Sequence, residues 1–122
     1  MNADKKTLVL GASPNSDRYS NLAVRRLRNH GHPVIAVGVK DGTINDVEIQ
    51  KGMPEEKDVD TITMYLNPMR QKQYYDYILS LKPKRIIFNP GAENSELEKL
   101  ATENNIEPIE ACTLVMLSTG QY

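Results

Sequence analysis

The sequence predicts a doubly wound α/β fold, a mainly parallel five-stranded sheet with helices on both faces. Two observations carry this. Apolar, β-branched runs alternate with segments of helical spacing along the whole chain. Such alternation makes parallel neighbours whose crossovers lay helices on both sides of the sheet. In addition, the chain has 122 residues with no repeat, no low-complexity tract and no linker long enough to divide it, so a single domain over residues 1–122 is expected.

Each element has its own signal. Thr7 to Gly11, Pro33 to Val39 and Arg85 to Phe88 are apolar runs of strand length. Thr61 to Leu66 sets Ile62, Met64 and Leu66 against Thr61, Thr63 and Tyr65, and Ile106 to Ile109 supplies the fifth strand. The first helix places Tyr19, Ala23, Val24 and Leu27 on one face, with Arg25, Arg26 and Arg28 pointing to solvent and Gly31 as a left-handed stop. Asn67 caps a second helix, Pro68 occupies its first position, and Tyr74, Tyr77, Ile78 and Leu81 form its buried stripe before Pro83 ends it. A third helix opens on a capping box of Ser95 and Glu98 and buries Leu97, Leu100 and Ala101. A short final helix covers Thr113 to Ser118. Residues 40–60 read as a loop with a short strand near Val47 to Ile49.

In doubly wound sheets ligands lie beyond the carboxyl ends of the strands, where strand order reverses. Those ends carry Gly11-Ala12-Ser13, Gly38-Val39-Lys40, Leu66-Asn67-Pro68, Asn89-Pro90-Gly91 and Ala111-Cys112. The set is small, amide-bearing and turn-forming, without an acid–base pair. In the first loop Gly11 lets the backbone approach a ligand, Ser13 adds a hydroxyl, and the helix behind offers N–H groups to a phosphate. A NAD site would place an acidic residue at the end of the second strand. Lys40 stands there instead, which suits a phosphorylated ribose, as in NADP or coenzyme A, and reads equally as a solvated loop lysine.

Composition narrows the function classes. Fifteen Lys and Arg against sixteen Asp and Glu give a net charge of −1, without the basic excess of a dedicated nucleic-acid binder. No stretch approaches the roughly 20 apolar residues of a membrane span. The single cysteine, Cys112, has no internal disulfide partner, so a cytoplasmic location is expected. His30 and His32 flank Gly31 at the opposite end of the sheet and read as exposed turn residues. No nucleophile–base set, metal-spaced cluster or opposed carboxylate pair stands out, so no catalytic role and no metal are expected. Cys112 reads either as a small buried hydrophobe or as a thiol at a helix start. Tyr74, Tyr75 and Tyr77 read as core and rim rather than as a stacking platform.

"LVLGASPNSDRYSNLAVRRLRNHGHPVIAV", "DVDTITMYLNP", "RIIFNPGAENSELEKLATENNI" and "EAC" together resemble the small CoA-binding domain proteins. These are Rossmann-like domains similar to the nucleotide-binding half of the succinyl-CoA synthetase α subunit. The resemblance runs over nearly the whole chain. It rests most on the "GAS" turn with Arg18 a few residues on, on "LNP" after the third long strand, and on the late cysteine. It implies coenzyme A as ligand. Gly11, Ala12 and Ser13 would hold the diphosphate with Arg18 nearby. Val37, Gly38 and Lys40 would face the adenosine end. Leu66, Asn67, Pro68, Pro90, Gly91 and Cys112 would line the rest of the groove. Family members usually end the second strand on an Asn-Pro pair, where this chain has Gly38-Val39. The implied role is non-catalytic binding of CoA or an acyl-CoA, as sensor or carrier. A small NADP-type oxidoreductase, or a partner subunit of one, is the alternative, and it lacks room for a substrate domain.

Overall fold

The structure, a computed structural model, describes residues 4–122. In chain order its elements are β1 (Thr7–Leu10), α1 (Tyr19–Asn29), β2 (Val34–Val37), β3 (Thr43–Ile44), β4 (Val47–Gln50) and β5 (Thr61–Met64). Then follow α2 (Pro68–Gln71), a 3-10 turn (Lys72–Tyr74), α3 (Tyr75–Leu81), β6 (Arg85–Phe88), α4 (Ser95–Glu103), β7 (Glu107–Glu110) and α5 (Thr113–Ser118). The strands form one sheet in the order β3-β4-β2-β1-β5-β6-β7, parallel throughout except for the β3–β4 pair. This is a Rossmann-like α/β fold. The chain winds outward from β1 to β3, then returns past β1 and winds the other way from β5 to β7. Strand order therefore reverses between β1 and β5.

The sheet has seven strands among the described residues, not the expected five. The difference is the stretch read as a loop. Within it a hairpin turns at Asn45, whose φ of +53° is one that asparagine tolerates. Its second strand, β4, pairs parallel to β2 through Ala36–Ile49 and Val37–Gln50. The short strand read near Val47 to Ile49 is β4, and the two residues of β3 are too few to stand out from a loop by periodicity.

Two apolar layers sandwich the sheet. On one face Val24 and Leu27 of α1 and Leu117 of α5 pack on Val9, Ala36 and Ile49. On the other, Ile78 of α3 and Leu97 and Ala101 of α4 pack on Leu8, Leu10, Ile62, Met64, Ile86 and Phe88. β1, β5 and most of β6 are buried along both faces, as central parallel strands require. The edge strand β7 carries Glu107, Pro108 and Glu110, charges and a missing N–H that discourage pairing with another chain.

The helices depart from expectation in instructive ways. Tyr19, placed on the buried face by its spacing, is 74% exposed at the first position of α1. The second helix is broken into α2, a 3-10 turn and α3, and ends on Lys82 at φ +50°, since a residue before proline is disfavoured in the α region. The cap of α4 is Asn94, whose side chain accepts from the Leu97 N–H at 3.2 Å, while Glu98 reaches back to the Asn94 N–H. The expected box at Ser95 and Glu98 is thus displaced by one residue. Of the three arginines expected in solvent, Arg28 makes a two-armed pair with Asp46 at 3.0 and 2.9 Å. Arg25 bonds Asn21 and the Ser16 carbonyl.

α1 ends as its glycine predicts. Gly31, at φ +82°, donates to the Arg28 carbonyl and His32 N–H to the Leu27 carbonyl. His32, however, is buried rather than exposed. Its Nδ1 accepts the Lys5 N–H at 2.9 Å, and its ring lies 4.9 Å from that of Tyr122. The Tyr122 hydroxyl meets Thr7 Oγ1, its ring lies 4.5 Å beneath the Arg85 guanidinium, and its carbonyl accepts from Lys5 and Arg85. Burial, then the nearby Lys5 charge, lowers the His32 pKa. Between the folded pKa and the unfolded value of about 6.5, the unfolded chain binds a proton that the folded chain refuses. Stability therefore falls as pH drops below about 6.5. We expect urea unfolding to show a larger loss between pH 7.5 and 5.5 for the wild type than for His32→Asn. Equal losses would show that His32 does not set the slope.

Candidate functional site

The carboxyl ends of β1 and β2 are locked together by one oxygen. The Val37 carbonyl accepts the N–H groups of both Gly11 and Ala12, at 2.9 and 2.8 Å. These two amides are therefore not free for a phosphate, and the expected backbone donors of the "GAS" turn begin only at Ser13. Gly11 sits at φ +101°, and a Cβ added there would come 3.1 Å from the Leu66 nitrogen and from the Tyr65 carbonyl carbon. Its glycine is demanded by the approach of β5's end as much as by any ligand. Gly38 is tighter still: a Cβ would stand 2.2 Å from the Ala12 carbonyl oxygen. The Gly38-Val39 departure from the usual Asn-Pro thus has a structural reason in this chain, because β1's loop crosses directly over that position.

The rest of the first loop is shaped by α1. Asn21, buried in its first turn, donates from Nδ2 to the Ser13 carbonyl at 2.9 Å and receives Arg25 Nε on Oδ1 at 2.9 Å. Arg25 also reaches the Ser16 carbonyl at 3.3 Å. Ser13 Oγ accepts the Asn15 N–H at 3.1 Å, and its own hydroxyl proton remains available. Arg18 is the residue just before α1 and is exposed.

On the far side of the β1–β5 reversal, Asn67 caps α2 through the Arg70 N–H at 3.0 Å, as its sequence position predicts. Gln71, fully buried, donates to the Leu66 and Ala92 carbonyls at 2.8 Å each. This joins the Leu66–Pro68 segment to the loop that carries Pro90 and Gly91. Asn89, 1% exposed, performs the matching task on the other face. Its Nδ2 donates to Thr63 Oγ1 and the Met64 carbonyl, and its Oδ1 accepts the Thr113 N–H at 2.9 Å. Thr63 and Thr113 hydroxyls meet at 2.7 Å. Cys112, half-buried, precedes α5 at this junction. Close by, the Tyr65 hydroxyl is buried without a hydrogen-bond partner among the described residues, and burial, followed by the Cys112 neighbour, pushes its pKa above the usual tyrosine range.

The structure therefore brings Gly11, Ala12, Val37, Gly38 and Leu66 into one contiguous unit and ties Asn67, Pro68, Pro90 and Gly91 to it through Gln71. Cys112 joins through Asn89 and Thr113. Arg18 and Lys40 stand exposed at the margin, and the ion pairs among the described residues include neither. Asp41, adjacent to Lys40, pairs with Lys51 at 3.1 Å instead. The residues that sequence reading passed over are Asn21, Gln71 and Asn94, and Asn89, placed on the rim, was given no role there. Their signal was the bare presence of amides near strand ends, and the partners that join separate loops lie 8 to 26 residues away.

The margin also has a compositional pattern. Of the five large apolar side chains exposed among the described residues, Tyr19, Val39, Met69 and Val115 all lie at this end of the sheet. Three of them adjoin a cation in sequence, as Arg18-Tyr19, Val39-Lys40 and Met69-Arg70. Such a rim suits an amphiphilic anion, with phosphates on the guanidinium and ammonium groups and apolar parts on the neighbouring side chains. A surface depression of about 630 Å³ lined by Lys6, Met53, Tyr77 and Leu81 lies instead toward the amino ends. Among the described residues no group of His, Cys, Asp and Glu could hold a metal, and no helix is long and apolar enough to cross a membrane.

A family model described as a CoA binding domain matches residues 5–118. The chain belongs to the CoA-binding domain family. The crystal structure of an uncharacterized protein is 55% identical, with a TM-score of 0.96 over 99% of this chain and 100% of that one. A protein from Thermus thermophilus, cell-free ID.343, shares 22% identity at a TM-score of 0.84 over 98% and 91% of the two chains. A hypothetical protein from Pyrococcus horikoshii OT3 shares 20% at 0.85 over 95% and 83%. The last two share the fold. No curated protein matches the chain.

The close crossing at Gly38 gives this CoA-binding domain a specific vulnerability. Gly38→Ala drives a methyl into the Ala12 carbonyl, a backbone atom that cannot swing aside, and should cost about 2–4 kcal/mol. Urea denaturation checks it. Wild-type stability in the variant would mean that the two strand ends are free to part.

Proposed function

We propose that the protein binds coenzyme A, or an acyl-CoA, in the crevice between the carboxyl ends of β1 and β5, without catalysing a reaction, as a sensor or carrier. The observation that carries this is the family match over residues 5–118 falling on a rim whose exposed cations and apolar side chains alternate. The residues fit the ligand group by group. Arg18, just before α1 at the end of the first loop, is suited to the diphosphate, whose oxygens take charge-assisted bonds from a guanidinium. Lys40, with Asp41 engaged elsewhere, is left to meet the 3′-phosphate of the ribose. Val39 and Tyr19 offer apolar area to the adenine, and Leu66 to the pantetheine arm that leads toward Cys112.

Several features favour binding over chemistry. The amides that shape the crevice are neutral and already paired with carbonyls, so they hold loops rather than move protons. His30 and His32 lie at the amino ends of the strands, a strand's length from this rim. A cytoplasmic setting accords with the single unpaired cysteine, Cys112.

Calorimetric titration with CoA, acetyl-CoA, NADP and NAD tests the reading. CoA should bind and raise the unfolding temperature by mass action, and NAD should not. A larger response to NAD or NADP would transfer the site to a dinucleotide and favour an oxidoreductase. Within the CoA reading, Lys40→Ala should weaken CoA by roughly five- to a hundred-fold, the value of one charge-assisted contact, and leave dephospho-CoA nearly unchanged. Equal losses with both ligands would make Lys40 an ordinary loop residue.

A further inference from the structure

The amino end of the sheet is closed by the turn that follows α5. The Gln121 and Tyr122 N–H groups both return to the Met116 carbonyl, with Gly120 at φ +73° between them and the helix. The turn sets Tyr122 against Thr7 and Arg85, the first residues of β1 and β6. Lys5 Nζ and Arg85 Nη2 converge on its carbonyl oxygen at 2.8 and 3.0 Å. Thr7 Oγ1 gives its own proton to the Lys5 carbonyl, so the Tyr122 hydroxyl donates to Thr7. Lys5 thus stands on both sides of the contact.

Lys5 is itself held by His32. Its N–H donates to His32 Nδ1 at 2.9 Å, a bond that lasts only while that nitrogen keeps its lone pair. The neutral ring therefore carries its proton on Nε2. A second proton has only Nδ1 to take, and there it would point at the Lys5 N–H, donor against donor. The charges around the ring oppose it as well. Lys5 faces it from the segment before β1, Arg85 from β6, and His30 from the end of α1, while Asp4 draws the proton on. Arg28 binds the His32 carbonyl at 2.7 Å and is itself paired with Asp46. Tyr122 covers the ring at 4.9 Å, and burial is the first cause of the lowered His32 pKa.

We propose that His32, Lys5 and Tyr122 form a proton-operated clasp: a neutral His32 holds the turn after α5 against the amino end of the sheet, and a protonated His32 releases it while the sheet stays folded. Release is local because strand pairing does not pass through Nδ1. β1 is held from Thr7 onward by its ladders with β2 and β5, and the Thr7 N–H goes to the Pro33 carbonyl. The clasp also lies at the far end of a helix whose start belongs to the rim. Thr113 is tied to Asn89, and Cys112 precedes it, so release leaves α5 fixed at the rim and loose at its other end. The open form takes up a proton near pH 6.5 that the closed form refuses. Opening therefore gains up to roughly tenfold for each pH unit below that value, until the closed form titrates too.

The test is NMR of the full chain between about pH 7.5 and 5, with labelled tyrosine and histidine rings and backbone amides. The Tyr122 ring signals should move toward those of a free tyrosine with the same midpoint as His32. Exchange protection of the Gln121 and Tyr122 amides should fall with them, while β1 and β5 stay protected. His32→Asn, whose Oδ1 can accept the Lys5 N–H and does not titrate, should keep Tyr122 in place throughout. Tyr122→Ala should raise the His32 midpoint toward about 6.5, because coupling is reciprocal. A Tyr122 ring that stays fixed while His32 titrates overturns the inference. So does a ring released at the same pH in His32→Asn, or a His32 that stays neutral until β1 and β5 lose protection. Should His32→Asn not fold, Tyr122→Ala decides: a raised His32 midpoint supports the clasp, and an unchanged one overturns it.

Discussion

The Val37 carbonyl oxygen, shared by the Gly11 and Ala12 N–H groups at 2.9 and 2.8 Å, fixes where β1 stops being a strand and where its loop must go. Strand pairing between β1 and β2 runs in register up to Leu10–Val37. At the next step the β1 chain folds across its neighbour instead of continuing beside it. Gly38 has to be glycine because the Ala12 carbonyl then lies over it, and Gly11 because Leu66 closes in from the other side. The first loop, the end of β2 and the start of the β5–α2 turn are consequently one mechanical unit. A ligand that touches any of them touches a surface whose backbone has little freedom to adapt, and preorganisation of this kind lowers the entropic cost of binding.

Around that unit the rim is held by neutral amides. Asn21 fixes the first loop, Gln71 and Asn94 join the α2 and α4 loops, and Asn89 joins β5, β6 and α5. Each is buried and bonded to backbone or to another polar side chain. Charged residues in these places would have carried a desolvation cost and placed a fixed field beneath the site. Amides tie loops together through local dipoles and leave the electrostatics of the crevice to the exposed cations at its margin.

This division explains what was legible in the sequence. Strands β1, β2 and β6 announce themselves because central parallel strands are apolar on both faces, β5 shows by its alternation of Ile62 and Met64 with Thr61 and Thr63, and the cap at Asn67 and stop at Gly31 use local chemistry. The family resemblance was legible too, because the "GAS" and "LNP" turns stand at strand ends in the same order. Strand β4 was read near Val47 to Ile49, but its pairing with the two-residue β3 was not, since two residues carry too little periodicity. Nor was the burial of His32, which depends on Lys5 and on the Tyr122 ring far along the chain. The amide network is illegible for the same reason: Thr63 and Thr113, 50 residues apart, meet only in the folded sheet. Tyr19 shows the converse error, where helical spacing was right and the side chain stands exposed at the first position of α1.

The two ends of the sheet use charge differently. At the amino end Lys5 and Arg85 bond the Tyr122 carbonyl, Lys6 pairs with Glu56, Lys84 with Asp60 and Arg28 with Asp46. Their work is internal. At the carboxyl end Arg18, Lys40 and Arg70 are exposed beside Tyr19, Val39 and Met69, outside the ion pairs among the described residues. With a net charge of −1, the chain as a whole does not attract an anion, and single exposed charges are screened beyond about 8 Å at physiological salt. On the proposed reading, discrimination at this rim is therefore a matter of contact. It requires a ligand that presents phosphate and apolar surface together, at spacings matched to cations and apolar side chains that alternate around a rigid crevice. A simple phosphate satisfies only half of that surface, and a purely apolar molecule only the other half.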